Sequence, residues 1–258
     1  MEERMRFAAD LARTAGAVVR QGFGQTMQID HKGAIDLVTE YDTRSERLLL
    51  DSIRRAYPQD SILAEESGEH AGGATRWLVD PLDGTSNFAH GVPIFCISIA
   101  CARNGQILVG VVYDPLRDEL FQAGQGLGAW LNGRRLQVSG TRSLDDCLAA
   151  TSFPYDMRTN PDNNLAQFAA VSLHTHDVRR TGSAALNIAY VAAGRFDAFW
   201  GMRLSSWDLA AGLLLVQEAG GRVSRLDGGP EVLRQPTSLL ASNGRLHDDL
   251  LQLLGLRV

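Results

Sequence analysis

The chain has 258 residues, 45% of them hydrophobic and 21% charged, enough for one large domain or two smaller ones sharing a core, and unlike a disordered or fibrous chain. A formal net charge of −5 argues against the broad basic footprint that nucleic-acid binding requires. No apolar run reaches the roughly 20 residues needed to cross a bilayer, and Cys96, Cys101 and Cys147, at no metal-ligand spacing, read as reduced thiols of a cytoplasmic protein.

In chain order, Phe7, Leu11, Ala15, Val18 and Val19 recur at helical spacing and predict an amphipathic helix over residues 3–23, not a signal peptide. A second helix is predicted from Asp42 to Tyr57, with Leu48, Leu49, Ile53 and Ala56 on its buried side and Pro58 as its stop. Between Ser61 and Phe121 the pattern shortens to β-prone runs, SILAE, RWLVD, CISIACA, ILVGVVY and ELFQA, separated by turn signals. Short connections favour antiparallel pairing and an α+β half. From Asp145 onward strand-like and helix-like runs alternate, closing with the helix HDDLLQLLG, which predicts an α/β half. The division falls near residue 140, giving an α+β unit over 1–140 and an α/β unit over 141–258 that pack tightly.

The segment WLVDPLDGTSNF, residues 77–88, sets two aspartates three apart where an apolar run ends. Pro81 fixes one backbone angle and Gly84 frees another, so a sharp turn is predicted that points Asp80 and Asp83 into one space. It also offers the Leu82 carbonyl as an oxygen ligand, and the Gly84 and Thr85 amides as anion donors if a helix starts there. Converging carboxylates repel unless a proton or cation lies between them. The two acids therefore either bond turn amides or hold a hard cation, for which Mg²⁺ suits a shell of carboxylates, carbonyl, water and phosphate. Glu65 and Glu66 end another strand, and Asp208 opens a small-residue helix in SSWDLAAG.

Four segments, DLVTEYD (36–42), LAEES (63–67), WLVDPLDGTSNF (77–88) and WDLAAGLLLVQEAGG (207–221), together resemble the signature segments of the inositol monophosphatase family of Mg²⁺-dependent, lithium-sensitive phosphatases. They stand in that family's order, and the resemblance spans nearly the whole chain. It implies a layered α-β-α-β-α sandwich of the sugar phosphatase type. It also implies one Mg²⁺ held by Glu65, Asp80 and the Leu82 carbonyl, a second held by Asp80, Asp83 and Asp208, and a third, weaker ion resting on Glu65 and waters. Asp42 and Thr85 match the pair that hydrogen-bonds near the nucleophilic water, so Glu65, Thr85 and Asp42 are the implied catalytic residues. Glu66 is expected to play a supporting part, and Lys32 matches a lysine that often lies near the metal-bound waters.

What the resemblance implies chemically is hydrolysis of a small phosphate monoester by a metal-activated water, without a phosphoenzyme, inhibition by Li⁺, and a homodimer. Substrate contacts would come from Asp83, Gly84, Thr85, Ser183, Ala184 and Asp208. One departure bears on the substrate: seven residues before Asp208, where inositol-specific members usually carry a glutamate that grips ring hydroxyls, this chain has Gly201. The inositol monophosphate class is the default, with histidinol phosphate, fructose 1,6-bisphosphate and 3′-phosphoadenosine phosphates as alternatives. A rival of another class is a non-catalytic regulator that keeps the fold; its expected signs, a lost ligand or a basic face, are missing from the sequence. His174 and His176 read as a solvated pair, His90 as a packing or supporting residue, and GQGLG (124–128) as a hairpin turn.

Overall fold

The computed structural model describes residues 1–26, 29–31 and 37–255, so Lys32 and Asp36 lie outside the described residues. Among those described, the helices are α1 (Glu2–Gly22), α2 (Glu40–Ala56), α3 (Thr85–Ala89), α4 (Leu165–His174), α5 (Ala184–Ala192), α6 (Ser206–Glu218) and α7 (His247–Gly255). The strands are β1 (Ile29–His31), β2 (Leu37–Thr39), β3 (Ser61–Ala64), β4 (Gly68–His70), β5 (Thr75–Asp83), β6 (Cys96–Arg103), β7 (Gln106–Asp114), β8 (Glu119–Gly124), β9 (Gly128–Leu131), β10 (Arg134–Arg135), β11 (Leu148–Thr151), β12 (Asp177–Arg179), β13 (Ala198–Met202), β14 (Arg222–Ser224) and β15 (Ser238–Ser242).

A large sheet runs β10-β9-β8-β7-β6-β5-β3-β4. It is antiparallel as expected except between β3 and β5, which are parallel. A smaller sheet runs β12-β11-β13-β15-β14, with β11 parallel to both β12 and β13. The hairpin between β8 and β9 pairs Gly124 with Gly128, which accounts for GQGLG as a turn.

Both sheets are buried on two faces, which is why their strands read as unbroken apolar runs. Period-two alternation sorts the side chains. Trp77, Val79, Ile97, Ile99, Val109 and Val111 face α1 and α2, while Leu78, Ala100 and Val112 face α5 and α6. Phe199, Leu239 and Ala241 of the small sheet close the same middle layer, and Trp200 and Leu240 turn outward onto α4 and α7. The result is five layers, α-β-α-β-α. Helix α6 lies close on the large sheet because Gly110 leaves room: a Cβ there would sit 2.5 Å from the Ala211 carbonyl oxygen. That contact fixes the helix whose first turn carries Asp208.

Candidate active site

In a regular strand, residues three apart point to opposite faces, so Asp80 and Asp83 could not serve one site. The pairing of β5 with β6 resolves this. Asp80 pairs with Ser98 and Asp83 with Cys96, so Pro81 and Leu82 stand opposite Ile97 alone. This β-bulge shifts the alternation by one residue. Leu82 therefore packs outward with Trp77 and Val79, although Leu78 faces the middle layer, and the shift carries Asp83 to the side of Asp80. The turn expected at Pro81 is thus a bulge in a strand that continues to Asp83. The chain turns at Gly84, with φ of 100°. A Cβ at Gly84 would lie 2.9 Å from the Ile94 carbonyl oxygen, so angle and space both require glycine.

The parallel register of β3 and β5, with Ala64 opposite Val79, brings Glu65 beside Asp80, and the Glu65 amide donates to the Val79 carbonyl at 3.2 Å. Asp42 and Asp208 arrive by a shared device. Each is the third residue of its helix, and one of its oxygens accepts the amide of the residue before the helix: Asp42 Oδ2 from Thr39 at 2.8 Å, Asp208 Oδ2 from Ser205 at 2.8 Å. The signals Thr-x-x-Asp and Ser-x-x-Asp were readable in TEYD and SSWD; the first explains why α2 starts at Glu40, two residues ahead of the expected start.

The Asp80 carboxyl is crowded by those of Glu65 and Asp208. Burial, and then the charges of Glu65, Asp83 and Asp208, holds Asp80 well above the usual carboxylate range. Asp208 is raised in the same way by burial and by Asp83 and Glu65. Burial raises Asp83 too, against the hydrogen bonds it accepts: from Ser183 Oγ at 2.5 Å, the Ala185 amide at 2.8 Å and the Ala184 amide at 3.2 Å. These donors weld the N-terminus of α5 to the end of β5. They also place Ser183 behind Asp83, fully buried, rather than on the cleft surface; Ala184 lines the cleft beside its bond to Asp83.

Thr85 Oγ1 donates to Asp42 Oδ1 at 2.8 Å and lies 3.0 Å from the Leu82 carbonyl oxygen. Asp42 itself is fully buried. Glu65, Asp80, Leu82, Asp83, Thr85 and Asp208 border one cleft of about 580 Å³, with Gly84 beside them. Glu66 sits behind it, its amide donating to Glu46 Oε2 at 2.8 Å. His90, His174 and His176 are exposed and lie outside the cleft lining.

Three arginines that the sequence did not single out, Arg158, Arg180 and Arg203, line the same cleft with Phe153, Tyr155 and Trp207. These arginines come from three separate connections, and the overall negative charge hides them. Gly201 is also informative: it pairs with Leu239 inside the small sheet, and a Cβ there would lie 2.5 Å from Leu204 Cδ1. Leu204 lines the cleft, so it fills the space a side chain at 201 would enter.

The donor set fits a hard divalent cation. It offers oxygens alone, and buried carboxyls that raise one another's pKa are relieved by a positive charge among them. The side chains do not form a closed cage: among the described residues, no group of three or more His, Cys, Asp and Glu is placed to hold a metal by itself. Mg²⁺ fits such an open arrangement, because it keeps waters and takes substrate phosphate as ligands.

A five-layer α/β sandwich with a carboxylate-rich cleft at the ends of β3 and β5 defines the sugar phosphatase class. Residues 1–256 match the inositol monophosphatase family, and this chain belongs to that family and so to the phosphoric monoester hydrolases. It is 45% identical over 243 residues to the Nus factor SuhB of Pseudomonas aeruginosa, covering 91% of this chain and 90% of that one. It is also 45% identical over 253 residues to an inositol-1-monophosphatase of Synechocystis, covering 97% and 88%. Among solved structures, the extragenic suppressor protein suhB of Bartonella henselae superposes with a TM-score of 0.94 at 39% identity, covering 99% of this chain and all of that one. The inositol monophosphatase of Anabaena superposes with a TM-score of 0.90 at 44% identity, covering 98% and 95%.

Proposed function

We propose that the cleft hydrolyses small phosphate monoesters with Mg²⁺, the inositol monophosphate class being the default substrate. The observation that carries this reading is the bulge at Pro81 and Leu82, which turns Asp80 and Asp83 to one side beside Glu65 and Asp208. Glu65, Asp80 and the Leu82 carbonyl would hold one ion, and Asp80, Asp83 and Asp208 a second, with a third on Glu65. Bound there, the ions supply an activated water and neutralise charge on the phosphoryl and leaving oxygens.

The residues of the chain do the rest. Thr85 passes its hydroxyl proton toward Asp42 Oδ1, which leaves the Thr85 oxygen as an acceptor for the attacking water. Asp42 stays in place because Oδ2 is bound to the Thr39 amide and hydroxyl, the latter at 2.5 Å. Asp83 is fixed by the Ser183 hydroxyl and the first two amides of α5, so its position does not depend on the ion. No side chain in this set needs to form a covalent intermediate.

The test is phosphate release by purified protein with Mg²⁺ against EDTA, and with Li⁺ added, from inositol 1-phosphate, histidinol phosphate and fructose 1,6-bisphosphate. Release that needs Mg²⁺ and falls with Li⁺ is the expected result; no release from any compound at saturating Mg²⁺ overturns the reading. The buried, unpaired thiols support a cytoplasmic location, and no described helix is long and apolar enough to cross a membrane. Homodimerisation rests on the family likeness and is checked by light scattering. A second reading, regulation by association with other macromolecules, is favoured by the name Nus factor carried by the Pseudomonas relative. That reading predicts that an inactive Asp208→Asn protein still functions in vivo.

A further inference from the structure

Besides the carboxylates, the cleft is lined by arginines that monoester hydrolysis as proposed above does not use. Of the 25 basic residues in a chain of net charge −5, Arg158, Arg180 and Arg203 line this one cleft. They come from the loops that follow β11, β12 and β13, so all sit at the same end of the small sheet.

Two of them are held in place. Arg203 has φ of 57°, in the left-handed region. Among the described residues, the other non-glycine residues there are Asn104, Asp118, Asn132 and Asn164, the types that tolerate it by bonding their own backbone. An arginine gains no such relief, and backbone held in this region marks functional positions. Arg203 Nη2 is aimed by an ion pair of 2.9 Å with Asp156 Oδ2. Arg180 lies over the Phe153 ring, with Cζ 4.7 Å from its centroid. Stacking sets the plane of the guanidinium while leaving its N–H edge for a carboxylate or phosphate.

Position 201 of the neighbouring wall offers no carboxylate to polyol hydroxyls, and Leu204 occupies the space beside it. A cleft of about 580 Å³ also holds more than one phosphate group.

We infer that the substrate carries a second anionic group, phosphate or carboxylate, on its leaving-group side, and that Arg180 and Arg203 bind it, with Arg158 adding charge. Resting on the phosphatase reading, this narrows it and sets a doubly anionic-group substrate in place of the default inositol monophosphate: the acids that would hold cations and the arginines take the two anionic groups of one molecule. Cationic leaving groups such as the histidinol amine are disfavoured by the same charges.

The experiment compares glucose 1-phosphate, glucose 1,6-bisphosphate and glucuronic acid 1-phosphate, which share a scaffold and differ in the second anion. Initial phosphate release with Mg²⁺ gives kcat and KM, and calorimetry with Ca²⁺ replacing Mg²⁺ gives binding independently of turnover. The second anion should lower KM and Kd at least tenfold, and its identity is read from which of the two compounds gains. In Arg180→Gln and Arg203→Gln the ratio between one-anion and two-anion ligands should fall toward one, with Arg203→Lys retaining part of it. Arg203→Gly suits the local backbone and guards against misfolding as the cause.

Equal KM and Kd for all three ligands, or a ratio unchanged in the variants, overturns the inference even if every compound is hydrolysed. Absence of hydrolysis with a tenfold binding preference that the arginine variants lose would sink the phosphatase reading and leave the anion site standing.

Discussion

Ser183 Oγ donates to Asp83 Oδ2 at 2.5 Å, joining residues 100 apart in sequence, and thereby ties the mouth of the large sheet to the helix α5 of the middle layer. Removing a group that orients a metal-binding carboxylate typically weakens metal binding roughly 10–100-fold. Ser183→Ala should therefore raise the Mg²⁺ concentration for half-maximal activity by about tenfold. The same change should cost about 1 kcal/mol of stability, because Ser183 Oγ also accepts the Leu186 amide at the start of α5. Titrating activity with Mg²⁺ beside a thermal melt checks both, and an unchanged Mg²⁺ dependence would count against Asp83 as a ligand.

Asp80 sets function against stability. In metal-free protein its carboxyl is raised by burial and by Glu65, Asp83 and Asp208. A carboxyl whose folded pKa lies above its unfolded value costs stability as pH rises beyond the ordinary carboxylate range. Metal-free protein should thus be less stable at neutral pH than in mild acid, with Mg²⁺ restoring stability at neutral pH. Asp80→Asn keeps an acceptor for the Leu82 amide, which lies 3.0 Å from Oδ1, and removes the charge. With EDTA present at neutral pH, the variant should melt higher by about 2–4 °C for each kcal/mol relieved. Its turnover should fall by more than the roughly 100-fold that a supporting residue explains. A variant that remains active, or melts lower without metal, would contradict the crowding of these acids.

Much of this was readable because local and global signals agree. Helical spacing in residues 2–22 and unbroken apolar runs such as CISIACA can satisfy one type of element each. The strands β4, β9 and β10 were not legible, since they are two to four residues long and contain Gly or charge rather than alternation. At the site, residue types were visible but their geometry was not. Nothing in DPLD shows that Pro81 and Leu82 share one partner, because a bulge is a property of the pairing with β6. Ser183 resembles a substrate contact in TGSAALN, and only its burial against Asp83 reassigns the hydroxyl. The arginine wall escaped because its three members are separated by tens of residues and meet only through the ends of β11, β12 and β13.

Gly201 makes a sharper prediction once Leu204 is considered. A Cβ introduced at 201 would lie 2.5 Å from Leu204 Cδ1, so Gly201→Glu alone has to displace Leu204 and should gain little for inositol 1-phosphate. Overpacking of this kind costs about 1–3 kcal/mol. Gly201→Glu with Leu204→Ala opens the space and lets a carboxylate pair with ring hydroxyls. The double variant should raise kcat/KM for inositol 1-phosphate about tenfold over the single one, the order expected for a matched polar contact. Equal values in the two variants would show that Leu204 is not what closes this position.

His247 links pH to the small sheet and α7, away from the cleft. It is fully buried, with Nε2 2.9 Å from Ser224 Oγ and Nδ1 2.8 Å from Ser242 Oγ. Ser224 donates its own proton to the Arg225 carbonyl at 2.7 Å, so Nε2 must donate to Ser224 and Nδ1 must accept from Ser242. A neutral ring satisfies both serines; a protonated ring has to turn the Ser242 hydroxyl proton away from Nδ1. Burial, reinforced by Arg222 and opposed by Asp248, pushes the imidazole down to about 4. Because the folded value lies below the ordinary 6.5, the unfolded chain binds the extra proton between these limits. The stability contributed by His247 is therefore complete above pH 6.5 and is lost as pH falls toward 4. The loss is of order 2 kcal/mol, or roughly 5 °C in Tm for a chain of this size. His247→Gln retains one donor and one acceptor but cannot titrate. Melting curves of the two proteins between pH 7 and pH 4.5 should converge as acid is added, because the wild type alone loses this contribution; parallel curves would show that His247 is not the group responsible.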